Sequence, residues 1–153
     1  MTVQPEVSWL SYLLAIGAGA ANPAQAGANS QLDKSLHNSL WTGVFVYLSG
    51  LICLLLVLIF VRKAFPDSVT LSQVPAWAWM GGVLSIASTM TGLLFARKMG
   101  SGTFTGLTVT ASLLMSIVLD HFGLIGFKAH PASFFRITGG GLMVIGLWLV
   151  SKF

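Results

Sequence analysis

The sequence predicts an all-α integral membrane protein with five transmembrane helices. Hydrophobic residues make up 55% of the 153 residues and charged residues only 8%, whereas a soluble domain carries about 25% charged residues. Five apolar runs are each long enough for the roughly 20 residues that a helical span requires. The connections between the runs are short, so no soluble domain fits between them. We therefore expect residues 1–153 to form a single transmembrane domain.

The limits of each span follow from the apolar runs and from the turn residues between them. Pro66-Asp67 and Pro131 interrupt the apolar pattern, as expected of turns, and aromatic residues lie near the predicted span ends, as at membrane interfaces. The predicted spans are Trp9–Ala28, Leu40–Val61, Val74–Ala96, Thr103–Ile125 and Ser133–Ser151. The predicted connections are Asn29–Ser39, Arg62–Gln73, Arg97–Gly102 and Gly126–Ala132.

The first run has a competing interpretation as a secretory signal peptide. Ala24-Gln25-Ala26 resembles a small-residue cleavage site after an apolar core. However, the segment MTVQPEVS before the run has no Lys or Arg and contains Glu6, whereas the start of a signal peptide is positively charged. We therefore predict that the first run is retained as a span.

Polar and small residues within the spans form stripes along the helices. Asn22, Gln25 and Asn29 lie at helical spacing in the first span, which places them on one face. Ser and Thr stripes also pack membrane helices, so those have a structural alternative, whereas large amides in hydrocarbon need a partner or water. The predicted substrate-pathway residues are Asn22, Gln25, Asn29, Ser49, Ser88, Thr108, Ser112 and Ser116.

Two opposite charges lie on either side of the last turn. Asp120 comes five residues before Ile125, the predicted end of the fourth span, and Arg136 comes five residues after Pro131. At about 1.5 Å per residue, both lie roughly 7–8 Å inside the hydrocarbon boundary. Ionisable groups at such depth tend to pair or to face water. We predict that the two form an ion pair, whose role is either structural or in substrate or proton coupling.

Signals for other classes of function are missing from the sequence. There is no HExxH, GxSxG or Walker motif, and His121 and His130 lack a second set of ligands at metal-binding spacing. The single cysteine, Cys53, lies in an apolar run, where a thiol serves as a small hydrophobe. The eight basic residues lie beside apolar runs rather than in one patch, which argues against nucleic acid as a partner. We expect no enzyme activity, metal or cofactor.

The order of these features resembles a known transporter family. The first span contains Gln and Asn, the second Ser-Gly, and the third opens with Trp and Gly-Gly. The tail reads LDHFGL from Leu119 to Leu124, followed by His130-Pro131, Arg136, Gly139 and Gly146. This pattern resembles the YdcZ-type five-helix branch of the drug/metabolite transporter superfamily. The resemblance implies half of a ten-helix inverted-repeat transporter, a bacterial inner (cytoplasmic) membrane location and small-molecule export. Ala111-Ser112 stands where members of the family often carry Gly-Gln.

Basic residues are balanced between the two sides of the predicted membrane. The N-terminal side carries Arg62, Lys63, Lys128 and Arg136, and the other side carries Lys34, Arg97, Lys98 and Lys152. Orientation follows the Lys/Arg bias, so this balance predicts insertion in both orientations. Two oppositely inserted copies would form an antiparallel homodimer with an inverted repeat. We predict a secondary transporter with a cavity lined by the first and fourth spans; the alternative is a non-transporting subunit that docks a partner protein.

Overall fold

The computed structural model describes residues 8–153, which are mostly helical and contain no β-strand. The all-α prediction is therefore confirmed for this part of the chain. Glu6, used above against a signal peptide, lies outside the described residues. The helices are α1 (Trp9–Leu36), α2 (Ser39–Val61), α3 (Ser68–Ser72), a 3-10 helix (Ala76–Trp79), α4 (Met80–Met99), α5 (Ser101–Phe122) and α6 (Phe134–Lys152).

Four helical segments within residues 8–153 are long and apolar enough to cross a membrane. They are Ser39–Val61, Ala76–Met99, Ser101–Phe122 and Phe134–Lys152. Helix α1 has 28 residues but does not reach the same hydropathy, because alanine, glycine and amide side chains replace large aliphatic ones. Helix α1 as a fifth span therefore stays a prediction.

The connection predicted at Asn29–Ser39 is wrong, because α1 continues to Leu36. Hydropathy falls after Ala28, but a helix needs only backbone hydrogen bonds to continue beyond its apolar section. The turn is confined to His37 and Asn38, where the Asn38 side chain accepts hydrogen bonds from the first amides of α2 and caps that helix. As a result, Asp33 lies in the last turn of a helix and not in a loop.

Two other predicted connections contain more structure than the sequence indicated. The connection predicted at Arg97–Gly102 consists of Gly100 alone. The φ of Gly100, 84°, lies in the region that glycine adopts without steric cost. The segment Arg62–Gln73 contains α3, which begins where the Asp67 carboxylate accepts the Thr70 amide at 2.9 Å. Polar composition marked both segments as turns, but the flanking helices continue up to Gly100 in the first, and a separate short helix forms in the second.

The described chain divides into two compact units, residues 24–97 and residues 8–23 together with 98–153. In the second unit, α5 and α6 run antiparallel and approach closely at glycines. A Cβ at Gly106 would lie 2.9 Å from Leu147, and a Cβ at Gly140 would lie 3.0 Å from Leu114. In the unit formed by residues 24–97, α2 approaches α4 at Gly43, where a Cβ would overlap the Met90 side chain.

Candidate functional site

The hairpin of α5 and α6 brings Asp120 and Arg136 together. Arg136 Nη2 donates to Asp120 Oδ2 at 2.7 Å. The predicted end of the fourth helix is wrong, however, because α5 ends at Phe122 rather than at Ile125. Asp120 therefore lies about 3 Å from the end of its helix, and its depth in the membrane stays a prediction. The pair is also partly accessible in the single chain, with 24% of the Asp120 side chain and 42% of the Arg136 side chain exposed.

Each member of this pair opposes the dipole of its own helix. Asp120 lies in the last turn of α5, where the partial charge is negative, and Arg136 lies in the first turn of α6, where it is positive. Such placements are each unfavourable by about 0.3–1 kcal/mol at exposed sites. The ion pair offsets both of these unfavourable placements, because the acidic side chain at the end of α5 bonds to the basic side chain at the start of α6.

The connection between α5 and α6 is fastened to the same two residues. The His130 amide donates to the Asp120 carbonyl at 2.7 Å, and Arg136 Nη1 donates to the His130 carbonyl at 3.4 Å. The Ala132 amide donates to His121 Nδ1 at 3.0 Å. A network of main-chain and side-chain hydrogen bonds therefore holds the connection against the ends of the two helices.

Gly123 ends α5 in a left-handed conformation, with φ at 61°. The Gly123 amide bonds to the Asp120 carbonyl and the Leu124 amide to the Leu119 carbonyl, which is a Schellman motif. The turn is also crowded, because a Cβ at Gly123 would lie 3.3 Å from the Ala129 amide nitrogen. Two constraints therefore favour glycine at this position.

Each histidine of the hairpin has its Nδ1 nitrogen hydrogen-bonded to the main chain. His121 Nδ1 accepts from the Ala132 amide, so that nitrogen carries no proton. His130 Nδ1 lies 2.9 Å from the Lys128 carbonyl and must donate, since a carbonyl only accepts. Both rings thus shape the connection, a role that their spacing in sequence did not indicate.

Helix α1 carries the predicted amide stripe without internal partners. In the described part of the chain, the side chains of Asn22, Gln25 and Asn29 make no hydrogen bond, and Asn29 is partly buried. Pro23 lies inside the helix and has no amide hydrogen, so it also leaves the Gly19 carbonyl without its helical donor. This face of α1 has unused donors and acceptors.

The hydroxyl stripe of α5 behaves differently from the amides. Each hydroxyl donates to a carbonyl of its own helix, from Thr108 to Phe104 or Thr105, from Ser112 to Thr108 and from Ser116 to Ser112. Ser49 likewise donates to the Val46 carbonyl, and Ser88 is exposed. Among residues 8–153, no hydrogen bond joins the side chain of one of these predicted pathway residues to the side chain of another.

A second carboxylate site lies in the unit formed by residues 24–97. Thr42 Oγ1 lies 3.3 Å from Asp33 Oδ1 and 3.0 Å from the Asn38 carbonyl. Thr42 is completely buried, with 0% exposure, and Asp33 is partly buried. The sequence predicted a loop at Asp33, so this contact was not expected. The signal was its spacing of four residues from Asn29, which continues the amide face of α1.

Tyr47 links α2 to α4 through two hydroxyl groups. Its Oη lies 2.8 Å from Ser85 Oγ and 2.9 Å from Thr89 Oγ1. Such interhelical hydrogen bonds contribute about 0.6 kcal/mol on average in membrane proteins. Tyr47 was not among the predicted site residues, although a tyrosine deep in an apolar run needs a partner for its hydroxyl.

Comparison with known proteins identifies the family. Residues 10–149 match the model of the family described as "Putative inner membrane exporter, YdcZ". A search of curated proteins and a search of solved structures each found no match. The matched range includes the amide face of α1, the Asp33 site and the α5–α6 hairpin. The resemblance predicted from the sequence is thus confirmed, and the chain belongs to this YdcZ family of multi-pass inner-membrane proteins.

Proposed function

We propose that the chain is a small-molecule exporter of a bacterial inner membrane, working as an antiparallel homodimer inserted in both orientations. The observation that carries this proposal is the face of α1, where three amides have no partner in the described chain. Large amides facing hydrocarbon are costly unless they meet water, substrate or another helix. Membership of an exporter family makes a transport pathway the best explanation for that face.

The proposal requires α1 to be the fifth span. Its 28 residues extend about 42 Å at 1.5 Å per residue, which exceeds the roughly 30 Å of a hydrocarbon core. Low hydropathy is acceptable in a helix that faces a polar cavity and its neighbours rather than lipid. We place the cavity against the first and fourth spans, which are α1 and α5, in a single transmembrane domain.

The balance of basic residues supports two orientations. Five spans put four Lys or Arg residues on each side, so neither side has the excess that fixes orientation. One copy supplies five helices, and an inverted second copy would supply the other half of a ten-helix inverted-repeat architecture. Besides the second copy, the partners of the protein would then be the lipid bilayer and a small-molecule substrate.

Charge variants that lock each orientation test the proposal. Arg62→Gln with Lys63→Gln removes two charges from the N-terminal side, and Arg97→Gln with Lys98→Gln removes two from the other. We expect cysteine accessibility to show opposite single orientations for the two variants and both orientations for the parent. A ligand-dependent thermal-shift screen on the purified dimer would supply the substrate for an efflux assay. Each variant alone should then be inactive, and co-expression should restore efflux.

Two results would contradict this function. If either locked variant is fully active alone, the antiparallel homodimer is wrong. If the chain instead purifies in a fixed ratio with a second protein and has no self-association, the alternative of a non-transporting docking subunit takes its place.

A further inference from the structure

Asp33 is a partly buried carboxylate without a cationic partner. Within residues 8–153 the ion pair that forms is the one between Asp120 and Arg136, and Asp33 has no Lys, Arg or His within ion-pairing distance. Lys34 follows directly in the sequence, but successive side chains leave a helix about 100° apart. The negative charge of Asp33 is therefore not neutralised within the described chain.

Its one side-chain donor is shared with another acceptor. The Thr42 hydroxyl has a single proton, and its distance to the Asn38 carbonyl is shorter than its distance to Asp33, 3.0 Å against 3.3 Å. A carboxylate offers about four lone-pair positions. Most of the hydrogen-bonding and coordinating capacity of Asp33 is therefore unused.

The surroundings of Asp33 favour a positive charge. Asp33 lies in the last turn of α1, where the helix dipole adds a partial negative charge. Asn29 precedes it by one turn on the same face, is partly buried and has an unpartnered amide oxygen. Gln25 precedes Asn29 by a further turn. Carboxylate, amide and hydroxyl oxygens thus gather along one side of the end of α1.

We propose that Asp33, with Asn29 and the Thr42 hydroxyl, forms a binding site for a monovalent cation. One carboxylate with neutral oxygens matches a single positive charge, whereas divalent ions usually take more carboxylate ligands. The cation is either an alkali-metal coupling ion or the ammonium group of an exported substrate. Its place in a transport cycle rests on the proposed function, but the binding itself does not.

Thermal unfolding of the purified full-length protein tests the site. The probes are sodium chloride and benzylammonium chloride, each titrated against tetrabutylammonium chloride at equal ionic strength, because that bulky ion has no N–H donors. We expect a saturable rise in the unfolding midpoint with at least one probe. A response to sodium identifies a coupling ion, and a response to benzylammonium identifies a substrate ammonium group.

Variants decide whether the response belongs to Asp33. Asp33→Asn should raise the half-saturating concentration at least about tenfold, as expected when a charge-assisted contact is lost. Asn29→Ala should raise the half-saturating concentration several-fold. This variant tests the site if Asp33→Asn folds poorly. Asp67→Asn removes a carboxylate from a loop of the same unit and should respond like the parent.

The proposal is overturned if the parent shows no saturable response to either probe, or if Asp33→Asn and Asn29→Ala respond like the parent. An equal loss in Asp67→Asn also overturns it, because the effect would then be general electrostatics. Cation binding that persists when the charge-locked variants fail to complement would leave the site intact and remove the exporter proposal. Complementation without cation binding would instead support the exporter proposal and remove the cation site.

Discussion

Asp120 and Asp33 occupy equivalent places in two helices, but their surroundings differ. Each lies in the last turn of its helix, where a negative charge is unfavourable. Asp120 receives an Arg136 guanidinium at 2.7 Å, and the same two residues hold the following connection through His130. Asp33 receives only a shared hydroxyl at 3.3 Å. The first carboxylate is satisfied within the hairpin, and the second is left available to a ligand.

This difference separates structural from functional carboxylates without reference to depth. Both lie in the last turn of their helices, so their position along the helix does not distinguish them. What distinguishes them is whether the described chain supplies the opposite charge. A carboxylate that is hydrogen-bonded to an Arg of the next helix suits a fixed clamp between the two helices. We therefore expect Asp120 to stabilise the hairpin and the proposed transport cycle to act on Asp33.

The largest effect should come from breaking the ion pair. Asp120→Ala or Arg136→Ala should lower the free energy of unfolding by about 1–3 kcal/mol, less than for a fully buried pair because both side chains are partly exposed. The exchange Asp120→Arg with Arg136→Asp should recover most of this loss, because it pairs the charges again and also aligns each with its helix dipole. Denaturation in detergent would measure all three variants. A double variant as unstable as the sum of the singles would show that the pair is not a clamp.

Two substitutions in the connection should have opposite signs. Gly123→Ala should cost about 1–2 kcal/mol, because a left-handed conformation is unfavourable for alanine and its Cβ would crowd Ala129. Ile125 also has a positive φ, 54°, so Ile125→Gly should stabilise the protein by up to about 1 kcal/mol. Thermal unfolding distinguishes the two. Equal destabilisation by both would mean that the conformation of this turn does not limit hairpin stability.

At the second carboxylate, Thr42→Val should cost about 1 kcal/mol, because it removes a buried hydroxyl that donates to Asp33 or Asn38. Thr110→Val in α5 is the matched control. Thr110 is also buried, with 5% exposure, but its hydroxyl has no hydrogen bond in the described residues. That variant should be neutral or stabilising. If both variants cost the same, the Thr42 hydroxyl contributes nothing specific to the Asp33 site.

The smallest effect on stability should come from Asp67. Unlike Asp33 and Asp120, Asp67 lies at the start of a helix rather than at its end. It caps the start of α3, and hydrogen bonds from the Thr70 side chain and amide lower the pKa of Asp67 below 3.8. A lowered pKa gives a contribution to stability that is present above pH 3.8 and is lost as the pH falls towards the folded-state pKa. Asp67→Asn should therefore remove a small part of the acid sensitivity below that pH. An unchanged acid limb in unfolding measurements would contradict this linkage.

The sequence predicted those features that depend on local composition. The apolar run Leu40–Val61 matches α2, which begins at Ser39. Equal depth on consecutive helices predicted the contact between Asp120 and Arg136, since a short connection fixes their register. The pathway assignments for Asn22, Gln25 and Asn29 stay predictions.

Features that depend on pairing between helices were not predictable in the same way. Hydropathy reports contact with lipid and not backbone hydrogen bonding, so the extension of α1 to Leu36 and the helical position of Asp33 were missed. The contact of Tyr47 with Ser85 and Thr89 depends on the register between α2 and α4, which the intervening segment with α3 does not fix. Side-chain partners across such a segment require the structure.

Infrared difference spectroscopy tests the distinction between the two carboxylates most directly. The chain has three aspartates, Asp33, Asp67 and Asp120, so ¹³C-aspartate labelling isolates their carboxylate bands from the single glutamate. Adding sodium or benzylammonium to the purified protein should shift a band that is absent in Asp33→Asn and retained in Asp67→Asn and Asp120→Asn. A cation-sensitive band that survives in Asp33→Asn and disappears in Asp120→Asn would contradict the assignment and make Asp120 the ligand-binding carboxylate.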